Sequence, residues 1–562
     1  MFQKLPDDSA GLLSWQWPEI EPYYRDLAER QLAPGNIDRW AADWSRIYGL
    51  VDEVYSRLYV ATTVDTTDQG SKRLFDAYLD NVQPGFKQAE QALKEKLLKS
   101  GLCPRGFELQ LKKMQVEASI FRPENLPLLS QEQKLKSRYS SIAGAQTVQW
   151  QGQERTVAQL KPVYQDQDRG LRQQAWELTA ERQLADRQAM SDLWREYFDL
   201  RRRIAANAGL LSFRDYRWRS LHRFDYTAED CLAFGRAIEE AVVPAAGRIY
   251  ERRRRKLGLG SLRPWDLSVD PDNRPPLKPF RGMEELASKT SQIFGRLDDE
   301  LAGQFDLMSR EGLLDLDNRK NKRPGGYCTT FAAAKRPFIF ANAVGVHDDV
   351  QTLLHESGHA FHAFSAARLP CVQQSEAPME FNEVASMAME LLASPHLGAF
   401  YGKEDARRAL AEHLEGLILF WPYMAVVDAF QHWAYGNPDQ AADPAACDLA
   451  WDRLYRRFMK GVDLSGFEEV VKTGWQRKLH IFIHPFYYVE YGLAQLGAVQ
   501  IWANSLKDPG GALQAYKEAL ALGGTRPLPE LYRTAGADFA FDAGTLGKAV
   551  GMVEQWLEKN GA

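Results

Sequence analysis

Apolar residues return every three or four positions through 37–60, 70–100, 168–208, 227–257, 283–311, 403–435 and 544–559, the period of an amphipathic α-helix. Strand-like segments are few and short: Glu108–Val116, Gln146–Gln151 with Arg155–Val157, and Tyr327–Phe331 as the hairpin partner of Pro337–Ala343. Just beyond that pair, Asp348 and Asp349 stand where a helix entry places its acids, and Val350 to Phe364 follows without a proline. Leu353, Leu354, Ala360, Phe361 and Phe364 wrap this segment with apolar residues on more than one side, which predicts a buried helix. A second helical run covers Asn382–Leu392, and the Pro- and Asp-rich stretch Ser268–Pro279 reads as a loop. The chain is therefore expected to be mainly α. Its 562 residues exceed what one hydrophobic core usually organises. Two helical lobes are expected, 1–200 and 201–562, with a cleft between them.

Composition adds exclusions. Apolar content of 45% and charged content of 26% are those of an ordinary globular protein. A net charge of −5 gives no reason to expect a nucleic-acid partner or an anionic membrane surface. The basic run Arg252–Lys256 continues a helical pattern near Glu239, Glu240 and Glu251 and reads as a solvated face. Met1 to Trp17 lacks an apolar signal core, and the apolar run Gly416–Val427 is short for a membrane span and contains Pro422. The five cysteines (103, 231, 328, 371 and 447) are scattered, without disulfide or metal spacing, which fits a reducing cytoplasm.

The buried helix carries the chemistry. His355-Glu356-Ser357-Gly358-His359 places two imidazoles one turn apart on one face, where both can grip one metal ion. Glu356 projects beside that ion and can take a proton from metal-bound water. Burying His, Glu and His together is costly unless they are paired or metal-bound. A third protein ligand is needed, and Glu376, Glu380 and Glu383 all follow at plausible distances, with spacing favouring Glu383 modestly. Glu390, two turns beyond Glu383, suits an acid that orients a ligand imidazole. Gly358 costs a helix interior about 1 kcal/mol relative to Ala; close approach by another element would offset this, and a merely tolerated glycine is the equally simple alternative. Downstream, Tyr488 and Tyr491 share a helix face near His480, and phenol and imidazole groups are donors suited to a developing oxyanion.

These residues fall in a longer pattern. Pro324-Gly325-Gly326-Tyr327-Cys328, Leu354 through His362, Asn382-Glu383-Val384-Ala385-Ser386, Trp475 through Phe482 and Pro485 through Tyr491 together resemble the thimet-oligopeptidase-like zinc endopeptidases, in the oligoendopeptidase F and Pz-peptidase branch. The resemblance covers most of 320–500, with weaker likeness from about 120 onward. It implies a large two-lobed, neurolysin-like helical fold with a small hairpin beside the metal helix and a deep central cleft, the catalytic lobe being 201–562. It also implies one zinc per chain on His355, His359 and Glu383, with Glu356 as general base and His480 with Tyr488 and Tyr491 as catalytic donors. The activity implied is cleavage of internal bonds in short unfolded peptides. A zinc carboxypeptidase or dipeptidyl peptidase on the same scaffold and an inactive peptide-binding protein are the rivals. One departure stands out. The thimet branch has a glycine-rich loop between its His and tyrosines, whereas Ile481-Phe482-Ile483-His484-Pro485-Phe486 is apolar and prolyl, which leaves Tyr487 among the candidates.

Overall fold

The computed structural model describes residues 2–319, 322–323 and 325–561; Met1 and Pro324 of the motifs above lie outside them. Helices dominate, as the periodicity predicts, and several long periodic stretches are broken once. The stretch 70–100 becomes Gln69–Asn81 and Gln83–Ser100, and 227–257 becomes Ala228–Ala241 and Val243–Lys256. In both cases a proline (Pro84, Pro244) opens the second helix, where its missing N–H is harmless. Within 283–311, Asp298 caps the second half by accepting the N–H groups of Glu300 and Leu301.

Glu108–Val116 is not a strand. It lies in a helix, Glu108–Ile120, and the buried positions Phe107, Gln110 and Met114 are spaced three and four apart. The leucines at 109 and 111 mimic an alternating pattern, yet Glu, Leu, Gln, Lys and Met all favour the helix.

Two sheets are present among the described residues. Strands β1 (Thr147–Trp150) and β2 (Gln153–Thr156) form a hairpin whose turn residues Gln151 and Gly152 both have positive φ, 50° and 79°. The second sheet holds β3 (Leu314–Asp317), β4 (Tyr327–Phe331) and β5 (Arg336–Ala343) in the order β3-β5-β4. The hairpin β4–β5 is the expected one, with Cys328 opposite Ile339. Strand β3 was not visible in the sequence, and it pairs parallel to β5. It makes β5 the central strand and leaves β4 on an edge.

The chain forms two compact units, each assembled from three separated stretches. The first comprises Met1–Ser119, Pro279–Lys403 and Gly497–Phe539; the second comprises Ile120–Lys278, Glu404–Leu496 and Ala540–Ala562. Residue 200 lies inside a helix of the second unit, Arg187–Asn207. The first unit contains the β3–β5 sheet, on which the helix His347–Ala366 packs, and that helix packs in turn against Met379–Leu392. In the second unit every member of the basic run is paired. Arg252 meets Glu415, Arg253 donates to the Val269 carbonyl, Arg254 and Arg255 share Glu251, and Lys256 meets Asp272. Lys403–Gly436 is one helix despite Pro422; it is long and apolar enough to span a bilayer by composition, but 61% of its apolar window is buried in the protein.

Candidate metal centre

The His-bearing helix starts where Asp349 gathers the backbone N–H groups of Val344, Gly345 and Val346 at 2.7–2.9 Å. Its partner helix, Met379–Leu392, approaches at Gly358. A Cβ there would stand 2.5 Å from the Ala385 carbonyl oxygen and 2.6 Å from Ser386 Cα, inside any permitted contact. Glycine is thus required by the neighbouring backbone, which Tyr516 holds from behind through its hydroxyl bond to the same Ala385 oxygen (2.7 Å).

This close approach brings Glu383 to the two histidines. His355 Nε2 and His359 Nε2 lie 3.5 and 3.7 Å from Glu383 Oε2, and the imidazole rings stand 5.0 Å apart at 84°. A tetrahedral zinc with bonds of ~2.1 Å separates its ligand atoms by ~3.4 Å. His355, His359 and Glu383 therefore fit such an ion in donor type and in spacing. Glu376 is exposed, and Glu380 lies on the first turn of the partner helix; neither belongs to this group.

Two supports were partly legible. His355 Nδ1 donates to Glu390 Oε1 at 2.6 Å, which fixes the tautomer that leaves Nε2 for a metal. The buried Ser386 hydroxyl reaches the Glu383 carbonyl at 3.0 Å and its carboxylate at 3.4 Å, a physical reason for the Glu-x-x-Ser pattern that spacing alone does not reveal. Burial lowers His359 to about 4. Burial also works to lower His355, but its bonds to Glu383 and Glu390 outweigh it and hold that ring well above the usual imidazole range. A cation must displace the His355 proton, so its binding weakens as pH falls.

Glu356 is 7% exposed, accepts the Cys328 backbone N–H, and leaves Oε2 without a hydrogen-bond partner among the described residues. Burial pushes its carboxyl up to about 7, with Glu383 and Glu390 adding to the shift against the pull of His355. A carboxyl poised there can take up and return a proton near neutrality. Burial and the Glu356 charge also raise the Cys328 thiol well above its ordinary value, which keeps it protonated and unreactive.

In the second unit, His480 gathers the tyrosines. Its ring lies 4.9 Å from Tyr488, 5.7 Å from Tyr491 and 6.1 Å from Tyr487. Tyr488 is buried and its hydroxyl accepts from Lys478 Nζ at 2.7 Å, whereas Tyr487 and Tyr491 are half-buried and 5.3 Å apart. Burial lowers Lys478 to about 8. The prolyl segment between His480 and the tyrosines is clamped. Arg201 donates to the Ile481 and Phe482 carbonyls, Arg217 to that of Pro485, and Arg223 to that of Phe486, while the Phe486 N–H reaches Gln431 Oε1 at 2.6 Å. Phe486 itself sits at φ 64°, a left-handed conformation that a bulky residue keeps only when its surroundings impose it.

The sequence profile of peptidase family M3 matches residues 163–549. The chain belongs to that family. Among its relatives, an oligoendopeptidase F homolog of Mycoplasma pneumoniae is 22% identical over 408 residues, 68% of this chain and 64% of the relative. Oligopeptidase PepF of Bacillus subtilis is 23% identical over 305 residues, 53% of this chain and 44% of the relative. The chain thus covers less than two thirds of either relative's length. In three dimensions it matches Pz peptidase A, solved with an inhibitor, at a TM-score of 0.91 with 27% identity, over 100% of this chain and 99% of that one. An oligoendopeptidase-F from Enterococcus faecium shares the fold at a TM-score of 0.63 with 15% identity, over 97% of each chain. The mainly helical, Pz-peptidase-like fold expected from the motifs is the fold observed.

The glycine contact gives a sharp test within the M3 fold. On helix propensity alone, Gly358→Ala gains about 1 kcal/mol. The approach to Ala385 and Ser386 reverses the sign, and the expected result is a net loss of about 1–3 kcal/mol in thermal unfolding, with weaker metal retention as Glu383 is pushed away.

Proposed function

We propose that the protein is a zinc-dependent oligoendopeptidase that cleaves internal bonds of short, unfolded peptides. The observation that carries this reading is the His355–His359–Glu383 donor triangle next to a buried Glu356, one of whose carboxylate oxygens has no hydrogen-bond partner among the described residues. Zinc, when bound, lowers the pKa of its water to about 7 and polarises the scissile carbonyl. Glu356 accepts the water proton and returns it to the departing amine. Glu390 holds the His355 ring and Ser386 the Glu383 carboxylate in the orientation the ligands need. His480 with Tyr488 and Tyr491 supplies donors to the oxygen that gains negative charge, a role supported by their convergence and by the family motif. Tyr491 is half-buried, and the hydroxyl of Tyr488, which accepts from Lys478, keeps its own proton to donate. The edge strand β4, whose Cys328 N–H bonds Glu356, offers backbone groups to which a peptide adds as a further strand, favouring main-chain over side-chain recognition.

An internally quenched peptide with both termini blocked tests this reading. Cleavage is expected, along with its loss on chelation and its return with stoichiometric zinc. Turnover only of peptides with a free carboxyl terminus would instead mark a carboxypeptidase.

A further inference from the structure

A second group of metal-binding side chains lies wholly within the second unit, among residues the peptidase reading does not use. Asp428 and His432 stand one turn apart on the helix Lys403–Gly436, and Cys231 faces them from the helix Ala228–Ala241. One donor atom from each lies within 4.8 Å of the others. All three are buried, with exposures of 2% for Cys231, 4% for Asp428 and 5% for His432.

The surroundings give two of these groups little to bond. Neither ring nitrogen of His432, nor Asp428 Oδ1, has a hydrogen-bond partner among the described residues. His432 Nε2 approaches Asp428 Oδ2 at 3.3 Å without hydrogen-bond geometry. The imidazole is walled by aromatic rings, Trp218 at 5.8 Å and Phe486 at 5.2 Å. Beside the cluster is a cavity of about 150 Å³ whose lining includes Cys231, Asp428, Phe234 and Met424 together with Arg236 and Arg457. Leaving buried polar groups unbonded costs about 1–3 kcal/mol each, so a fold that sets Asp428 and His432 side by side in this state needs a reason.

We propose that Cys231, Asp428 and His432 form a second, structural metal site for a thiophilic divalent cation of the zinc class. Charge supports the choice. A thiolate, a carboxylate and a neutral imidazole carry two negative charges, which a divalent ion cancels, so the donor set and its ion are together neutral. Sulfur and nitrogen donors select zinc-like ions over calcium or magnesium, which take oxygen ligands. The i,i+4 pair grips from one helix, as His355 and His359 do in the first unit, and the cavity has room for a water as fourth ligand. Binding releases the Cys231 thiol proton to solvent. The site cross-links two helices and steadies the one whose Gln431 and His432 both contact Phe486, the left-handed residue between His480 and the tyrosines.

Cobalt tests this without reference to activity, because a thiolate ligand adds a near-ultraviolet charge-transfer band that a His–His–Glu site lacks. The full-length protein is made in cobalt-supplemented minimal medium, so that both sites load during folding. The expected result is two cobalt ions per chain with the thiolate band. His359→Ala should lose one ion and keep the band; Cys231→Ala should lose one ion and the band together. Wild-type protein without the band overturns the proposal whatever its metal count, as does a band that survives in Cys231→Ala. If Cys231→Ala fails to fold, the wild-type and His359→Ala spectra still decide.

Discussion

Glu356→Gln is expected to retain the metal of the His355 site and to lose turnover by about 10²- to 10⁴-fold, the range of a general acid–base group. The amide is isosteric and still accepts the Cys328 N–H that the carboxylate takes, so the local packing survives. What it cannot do is take up a proton near neutrality, the capacity that burial gives Glu356 by raising its carboxyl to about 7. Metal content by elemental analysis and kcat on one quenched peptide, measured on the same preparation, separate the two functions. A variant with wild-type metal and substantial turnover would remove Glu356 from the base role.

Glu383→Ala should act on the metal instead. Its carboxylate is the only one in the donor group with the two histidines, at 3.5 and 3.7 Å, and it is 4% exposed, so no neighbouring water readily replaces it. Affinity should fall by more than about 100-fold, beyond the 10- to 100-fold expected for Glu390→Gln, which removes only the support of His355. Glu376→Ala and Glu380→Ala should leave affinity nearly unchanged. Competition with a chelator of known affinity ranks all four; loss of metal in Glu376→Ala with retention in Glu383→Ala would reverse the assignment.

Residues whose chemistry is local were legible in the sequence. Two histidines at i and i+4 with a glutamate between them state their geometry in five residues, and the β4–β5 hairpin and the helix periods are likewise short-range signals. Spacing does not say which acid joins the histidines, because three glutamates lie within eight residues; it is the crossing at Gly358 that brings Glu383 beside them. Strand β3 is not legible in the sequence because four residues, Leu-Asp-Leu-Asp, carry too little period, and its pairing to β5 is a tertiary event. Helix Glu108–Ile120 is masked for the opposite reason: two leucines simulate an alternation that burial at 107, 110 and 114 contradicts. Cys231 announces nothing about Asp428 and His432, from which it is separated by almost two hundred residues.

The interleaving of the two units bears on how the protein is made. A ribosome delivers His355, His359 and Glu383 well before Tyr516, whose hydroxyl fixes the backbone at Ala385 against which Gly358 packs. The first unit lacks its last stretch until residues 497–539 have emerged, and the second begins at residue 120 and closes only with 540–562. Neither can fold as a finished domain while the other waits. Long-range contacts of this kind form slowly, and the nascent chain keeps apolar helix faces uncovered until residues 497–562 have emerged. Chaperone demand during translation is thus built into the order of its segments.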